Sequence, residues 1–459
     1  MSTVKFSALE LMETAPVGSS IIRLALPMML GMIAQMVYNM TDTFFIGQTG
    51  DPNMVAGISL TMPLFMISQG FGNIFAVGAS SYISRVLGAK NLEEAKRTNA
   101  VSFYTTIVFG LVITVVLFIF KTPILKVIGT SDITFRYADD YFSIISAFIL
   151  FAIVNIALSG QIRSEGATDK AMNGMLLGIV LNIVLDPVFI LWFGWGVAGA
   201  AWATVIGIIA SVIYFIAHFL SKKTMLSIRP ADFKPNRTMY AETLKIGIPA
   251  ALSHIVMTAS AIFTNRVAAA YGDFVVAGSG VTMRVSSICF TLVMALAMGY
   301  QPFAGYNYGA KNFERLRGGL KITMIYTTVL CCFFTVFFAF LGKSLVYVFI
   351  RDTQTVQAGT KLLHAFLWGL PFLGIQMTFM VTYQALGKPM LATIVTMGRQ
   401  CLVYLPLLFA LNRLWQFNGY IYSQPIADII TTAIAAALSS FVFKEIREVP
   451  IPLAQGRRI

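Results

Sequence analysis

Few ionisable side chains fall within the long apolar runs of this sequence, and those few define the chemistry open to it. The acids are Asp42, Asp186 and Asp428; the bases are Arg266, Arg284 and Arg399, with His254 and His364 as further titratable groups. A charge at bilayer depth is costly and commonly marks an ion or substrate path. Gln35, Tyr38 and Asp42 follow i, i+3, i+7 spacing and so share one helix face, and Met175, Asn182 and Asp186 fall on one face by the same arithmetic. Two carboxylates facing one another in low dielectric do not both ionise readily. The pair Asp42/Asp186 therefore suits holding a proton, or releasing it to a Na⁺ bound by oxygens. Asn182 and Thr204 would add neutral oxygen ligands. Pro187 follows Asp186, removes a backbone donor and leaves nearby carbonyls available. The plainer reading is that Asp42 caps a helix end near the interface and Asp186 belongs to a turn before Trp192.

The remaining charges sit in the second half. Arg266, Arg284 and Arg399, with Asp428 as the acid nearby, read either as gating or substrate contacts or as a buried network that locks helices together; for Asp428 the network reading is preferred. His254 and His364 read as packed polar residues that remain eligible as proton carriers. Pro27, with its counterpart Pro249, marks a bend that is either a hinge or a packing kink. The 23 methionines and many phenylalanines suit an adaptable cavity wall, although most would face lipid.

The elements that must position these residues are membrane spans. Of 459 residues 57% are hydrophobic and 12% charged, whereas a soluble domain carries about a quarter charged. Apolar blocks of about 20 residues recur from end to end, each long enough for ~30 Å of hydrocarbon. They predict spans near 21–46, 54–80, 99–120, 137–158, 171–192, 197–220, 243–270, 274–304, 321–341, 358–382, 391–412 and 419–443. A soluble helical protein would need a polar face that these blocks lack. The net charge of +13 sits mainly in connectors, as in Arg85–Arg97, Lys222–Arg237, Lys311–Arg317 and the C-terminal tail, which favours positive-inside topology over nucleic acid and places both termini in the cytoplasm. Cys289, Cys331, Cys332 and Cys401 lie inside apolar blocks without ligand spacing, so no disulfide or metal site is expected. The polar N-terminus lacks the pattern of a cleaved signal. No P-loop, HExxH or cofactor motif occurs, which argues against an enzyme or an ATP-driven pump.

The chain also repeats itself. Leu87-Gly-Ala-Lys-Asn-Leu-Glu93 recurs as Tyr308-Gly-Ala-Lys-Asn-Phe-Glu314, Leu26-Pro27 as Ile248-Pro249, Val55-Ala-Gly57 as Val276-Ala-Gly278, and Gly166 as Gly387, at an offset of about 221 residues. A unit of six spans repeats in the same orientation, about an axis along the membrane normal. The expected organisation is an N-terminal lobe over 1–220, a cytoplasmic linker over 221–242, a C-terminal lobe over 243–444 and a tail over 445–459. That is an all-α membrane protein of about 12 transmembrane helices in two six-helix lobes.

These residues carry a resemblance that covers essentially the whole chain. Tyr38-Asn-Met-Thr-Asp-Thr-Phe-Phe-Ile-Gly47, Leu87-Gly-Ala-Lys90, Arg163-Ser-Glu-Gly-Ala-Thr-Asp169, Leu181-Asn-Ile-Val-Leu-Asp-Pro187 and Gly196-Val-Ala-Gly-Ala-Ala-Trp-Ala-Thr204, with Gly387-Lys-Pro389 and Gln424-Pro-Ile-Ala-Asp428 as looser fits, resemble the multidrug and toxin extrusion (MATE) family, in particular its DinF-like and MepA-like bacterial branch. The resemblance implies a V-shaped transporter, monomeric in the bacterial cytoplasmic membrane, that exports small-molecule drugs or metabolites in exchange for H⁺ or Na⁺ and uses no cofactor. It implies a coupling site at Asp42, Asn182, Asp186 and Thr204 with Tyr38 close by, and a first-lobe cavity at Gln35 and Met175, to which Asn155 is added. Acids that some members carry on the seventh and eighth helices are missing, so coupling is expected in the first lobe. The alternative is a flippase of the same superfamily for lipid or lipid-linked oligosaccharide, which the second-lobe arginines keep open.

Overall fold

A computed structural model describes residues 7–49, 51–128, 130–221 and 223–448. The chain divides into two compact units, Met1–His254 and Ile255–Ile459. In the first, α1 (Ala8–Glu13) precedes α2 (Val17–Gly47), α3 (Pro52–Leu60), α4 (Met62–Gly88), α5 (Leu92–Ile119), α6 (Lys121–Ile128), α7 (Asp132–Ala147), α8 (Ile149–Ser164), α9 (Thr168–Pro187) and α10 (Gly196–Leu220). Helix α11 (Arg237–Ala269) begins in the first unit and ends in the second. There α12 (Asp273–Gly309), α13 (Phe313–Phe349), α14 (Thr353–Ala385), α15 (Pro389–Met397) and α16 (Tyr404–Glu448) complete the described chain.

Helix length and bends give the number of crossings. Ten helical stretches are long and apolar enough to span, and the pair α7/α8, bent by 52° at Phe148, adds one more. The stretch Pro389–Val442 covers 54 residues, about 80 Å if it were one straight helix, far more than a bilayer needs. At Gln416 the backbone leaves helical geometry (φ 51°, ψ −128°). A Cβ on Gly419 would lie 1.8 Å from the Leu411 carbonyl oxygen, so the chain doubles back there. Counting this stretch twice gives twelve crossings among the described residues.

The repeated heptapeptide has a structural cause. Lys90 and Lys311 both adopt left-handed backbone (φ 61° and 57°), and each closes one helix, with Asn91 N–H bonding Val86 O and Asn312 N–H bonding Asn307 O. The next residue starts a new helix, as Asn91 accepts from Glu94 N–H and Asn312 from Arg315 N–H. Gly166 and Gly387 (φ 83° and 71°) make the second recurrent turn. Elsewhere Asp51 caps α3 through Asn53 N–H and accepts from Tyr137 Oη, bonds that hold its carboxyl below the usual range.

The division between units falls inside α11, later than the linker that the charge pattern marks at 221–242. The linker packs on the first unit: Asn99 Nδ2 donates to Ser227 O (2.9 Å) and Tyr104 Oη to Ile228 O (3.0 Å). Arg85 pairs with Glu242 at 2.7 Å, and a Cβ on Gly247 would meet Ile74 O at 2.0 Å, so α11 starts backbone-to-backbone against α4. The buried carboxylate of Glu165 accepts from Thr224 Oγ1 and Met225 N–H and contacts His218 Nε2 at 3.0 Å. Of the expected tail at 445–459, residues 449–459 lie outside the described part.

Candidate functional site

Buried polar side chains gather around an expected site residue where α2, α9 and α10 meet. Helices α9 and α10 come together through small residues. A Cβ on Gly178 would lie 2.2 Å from Ser211 Oγ, and one on Gly207 would lie 2.6 Å from Gly178 O. Ser211 Oγ donates to Gly174 O across the same seam. Close backbone approach of this kind is the usual device for membrane helices that must pack without a hydrophobic drive. It brings Asn182 and Asp186 on α9 opposite Thr204 on α10.

All three are buried: Asn182 is 3% exposed, Asp186 0% and Thr204 4%. Their mutual bonding fixes the Asn182 amide. With its nitrogen donating to Asp186 Oδ2 (3.0 Å), its oxygen accepts from Thr204 N–H (3.0 Å). The reverse orientation offers only a 3.3 Å contact to Thr204 Oγ1. Tyr38 Oη, from α2, lies 3.4 Å from the same Thr204 hydroxyl. The backbone of Asp42 belongs to α2, but its side chain lies outside the described residues. Four of the five expected coupling residues are thus brought together. Chemically the group offers one carboxylate with amide, hydroxyl and phenol oxygens around it, a donor set for a proton or a hard cation. Among the described residues no three His, Cys, Asp or Glu side chains gather as a metal site would.

Just beyond Asp186 the helix loosens. Pro187 ends α9 and a π-helical turn, Val188–Trp192, follows, a widening often found at functional positions. The rings of Phe189, Phe193 and Trp195 cluster there, with centroids 5.1–5.8 Å apart.

The expected cavity residues scatter around this group. Met175 is half-buried with its methyl against Gly31 of α2, where a Cβ would lie 2.2 Å away. Gln35 bonds Asn39 on its own helix (3.3 Å). Asn155, on α8, keeps its amide oxygen buried without a hydrogen-bond partner. Pro27 sits inside α2, which runs unbroken past it.

In the second unit Arg399 and Asp428 meet, while Arg266 and Arg284 do not join them. Arg399 lies on a second π-helical turn, Gly398–Leu402. Its Nε donates to Asp428 Oδ1 at 2.9 Å, and Gln424 Nε2 donates to the same oxygen at 3.1 Å. The guanidinium also lies 5.2 Å from the centre of the Phe290 ring. Arg266 and Arg284 point to exposed faces of α11 and α12 and form no ion pair among the described residues. His254 belongs to the first unit, where its Nε2 is 3.1 Å from Asn73 Nδ2, and His364 is exposed. The network expected from these residues is therefore a pair with one amide, because the helix faces turn the other cations away.

The glycines that seat α9 on α10 escaped the reading of ionisable residues. Their signal is the four-residue spacing Gly174/Gly178 and Gly199/Ala203/Gly207, a pattern of helix-packing rather than chemistry.

Known proteins resemble this chain along nearly its whole length. The MatE family profile matches residues 27–188 and 249–409, once in each repeat. The multidrug export protein MepA of Staphylococcus aureus (strain MSSA476) is 33% identical over 438 residues, covering 94% of this chain and 95% of the relative. The protein of the same name from Staphylococcus haemolyticus (strain JCSC1435) is 32% identical over 437 residues, covering 95% of both. A MATE crystal structure in complex with MaL6 superposes with a TM-score of 0.91 at 23% identity, over 97% of this chain and 100% of the other. A multi-pass helical chain whose two halves each match the family and whose fold superposes on its solved members belongs to the MATE family.

Proposed function

We propose that this chain is a secondary active multidrug exporter that moves cationic or amphipathic organic compounds outward in exchange for H⁺ or Na⁺. The carrying observation is the fully buried Asp186 held by Asn182, itself seated on Thr204. A carboxylate so enclosed changes its surroundings sharply when a proton or Na⁺ neutralises it, which is what coupling requires. Kinship with proteins named for multidrug export supports the substrate class. Asp42 completes the ion site in this reading. Gln35, Met175 and Asn155 line the first-lobe substrate cavity, and Pro27 is the hinge through which α2 responds. The basic connectors support cytoplasmic termini, and the protein works as a monomer in the bacterial cytoplasmic membrane.

The test is reconstitution into liposomes with an imposed pH or Na⁺ gradient and uptake of cationic dyes. Asp186→Asn and Asp42→Asn should each abolish gradient-driven export while the proteins insert normally. Wild-type export by both variants would overturn the coupling site, and whichever gradient drives transport names the ion. A lipid or lipid-linked oligosaccharide flippase is the second reading, favoured by the exposed Arg266 and Arg284. Movement of fluorescent lipid across the same liposomes, without dye export, would select it.

A further inference from the structure

We propose that α1 anchors α2 within the first unit, with Met12 and Glu13 as positioning residues, and so confines displacement of α2 to the half beyond Gly31, given the reading of α2 as the helix that responds to ion binding. Met12 is 0% exposed and Leu11 9%, deep seating for a helix of six residues. The seat is the turn between α8 and α9. A Cβ on Gly166 would lie 3.2 Å from Met12 Cε and 3.0 Å from Ala8 O. One residue on, Glu13 Oε1 meets Lys90 Nζ at 2.6 Å, which adds the turn between α4 and α5. Both side chains of that pair are exposed, so it contributes little to stability and chiefly sets direction. The buried Met12 is the stronger hold.

The link from α1 to α2 is short and bonded at both ends. Thr14 N–H and Ala15 N–H donate to Glu10 O, and Ser20 Oγ donates to Pro16 O at 3.1 Å. Pro16, with its fixed φ, stands between them. Shifting the first turn of α2 must therefore carry α1 out of its seat. Along the rest of α2 the packing is uneven. Ser20, Ile21, Leu24, Ala25, Met28 and Gly31 are buried, whereas no described residue from 32 to 45 is. Tyr38, which reaches Thr204, belongs to the second stretch. Helix α9 starts at the turn on which Met12 sits. Through α1 the two helices are thus tied at one end, and any parting of them is largest at the other, where Tyr38, Asn182 and Asp186 gather.

The experiment is hydrogen–deuterium exchange of the full chain in liposomes, paired with gradient-driven dye export. Met12→Ala empties the seat and leaves the charges in place. Amides of residues 8–26 should exchange at least tenfold faster, while those of α5 and α10 keep the wild-type rate. Export per inserted molecule should fall at least fivefold with dye affinity unchanged. A residue that served packing alone would speed exchange without touching export. Glu10→Gln, on the exposed face of α1 and still able to close the capping box, should match wild type in both. A second variant asks whether α1 stays seated through the cycle. With Cys332 and Cys401 replaced by alanine, Glu13→Cys/Lys90→Cys joined by a short bismaleimide should export as fast as the unjoined protein. Unchanged exchange in Met12→Ala, faster exchange with undiminished export, equal loosening of α5 and α10, or loss of export on joining would each overturn the anchor. Absence of dye export from wild type under either gradient would overturn the exporter reading instead, and the exchange comparison would still decide the anchor.

Discussion

Arg399 reaches Asp428 across 2.9 Å in the interior of the second unit, from a π-helical turn to the helix that follows it. Asp428 is fully buried and Arg399 is 9% exposed, so water does little to screen the pair. Removing one partner strands the other as a bare buried charge, at a cost of about 3–5 kcal/mol. Arg399→Ala should therefore lower the thermal midpoint of the purified protein by several degrees. Replacing both with apolar side chains, Arg399→Met/Asp428→Leu, should restore most of the loss, since a well-packed apolar pair often equals a buried ion pair. Equal midpoints for wild type and Arg399→Ala would show that the pair does not lock these helices.

Gly207 acts on the candidate ion site without touching an ion. A Cβ there would meet Gly178 O at 2.6 Å, and the helices would have to separate. Overpacking of this kind costs about 1–3 kcal/mol. It would also pull Thr204 from Asn182, a contact on which the proposed coupling site rests. Gly207→Ala should thus cut gradient-driven export by at least tenfold in protein that still inserts. Gly47→Ala, where a Cβ meets nothing within 4 Å, should export at the wild-type rate. If Gly207→Ala does so too, the seam does not position the site.

Glu165 tethers the linker to the first unit. Its carboxylate accepts from Thr224 Oγ1 and from Met225 N–H at 2.8 Å, and hydrogen bonds to a charged group contribute about 1.5–3 kcal/mol. Glu165→Gln keeps the shape but loses the charge and one acceptor oxygen. Limited trypsin digestion reads the outcome, because the Lys223–Thr224 bond adjoins the tether. Cleavage there should speed up by roughly tenfold, as expected if about 1.4 kcal/mol of local protection is lost. Unchanged cleavage would mean that the Asn99 and Tyr104 contacts hold the linker without Glu165.

Much of this architecture is legible in the sequence because bilayer thickness sets a length that a run of apolar residues either reaches or does not. The reversal at Gln416 lies between the two last expected spans, and the recurrent turns announce themselves as Gly-Ala-Lys-Asn. Which face of a helix looks inward is far less legible. In α2, Leu24, Ala25 and Met28 are buried while Leu26, Leu30 and Ile33 are exposed. Lipid and protein interior accept the same side chains, so no polar stripe separates them. For that reason Arg266 and Arg284 looked equivalent to Arg399 until the helices were placed. The linker's docking was hidden for another cause. Asn99 and Tyr104 bond backbone carbonyls of Ser227 and Ile228, and a carbonyl leaves no mark in sequence. Within the candidate ion site, Asn182 and Asp186 were visible as one helix face, but the glycine seam that delivers Thr204 was not read.

Lys311 tests whether the repeated heptapeptide preserves a backbone shape or a charge. Its φ of 57° is left-handed, a conformation that costs an L-residue about 1–2 kcal/mol relative to right-handed backbone. Glycine adopts it without that cost but loses more chain entropy on folding, which offsets about 0.5–1 kcal/mol. Lys311→Gly should therefore match or exceed wild type in thermal midpoint, by at most about 1 kcal/mol. Lys311→Val, branched at Cβ, should fall clearly below both, because Asn312 must still close its bond to Asn307 O while capping α13 through Arg315 N–H. The same order should hold at Lys90, reduced there by loss of its contact with Glu13. A charge-based role would invert the order at Lys311, placing glycine and valine together below lysine, and thermal melts of the three proteins distinguish the two outcomes.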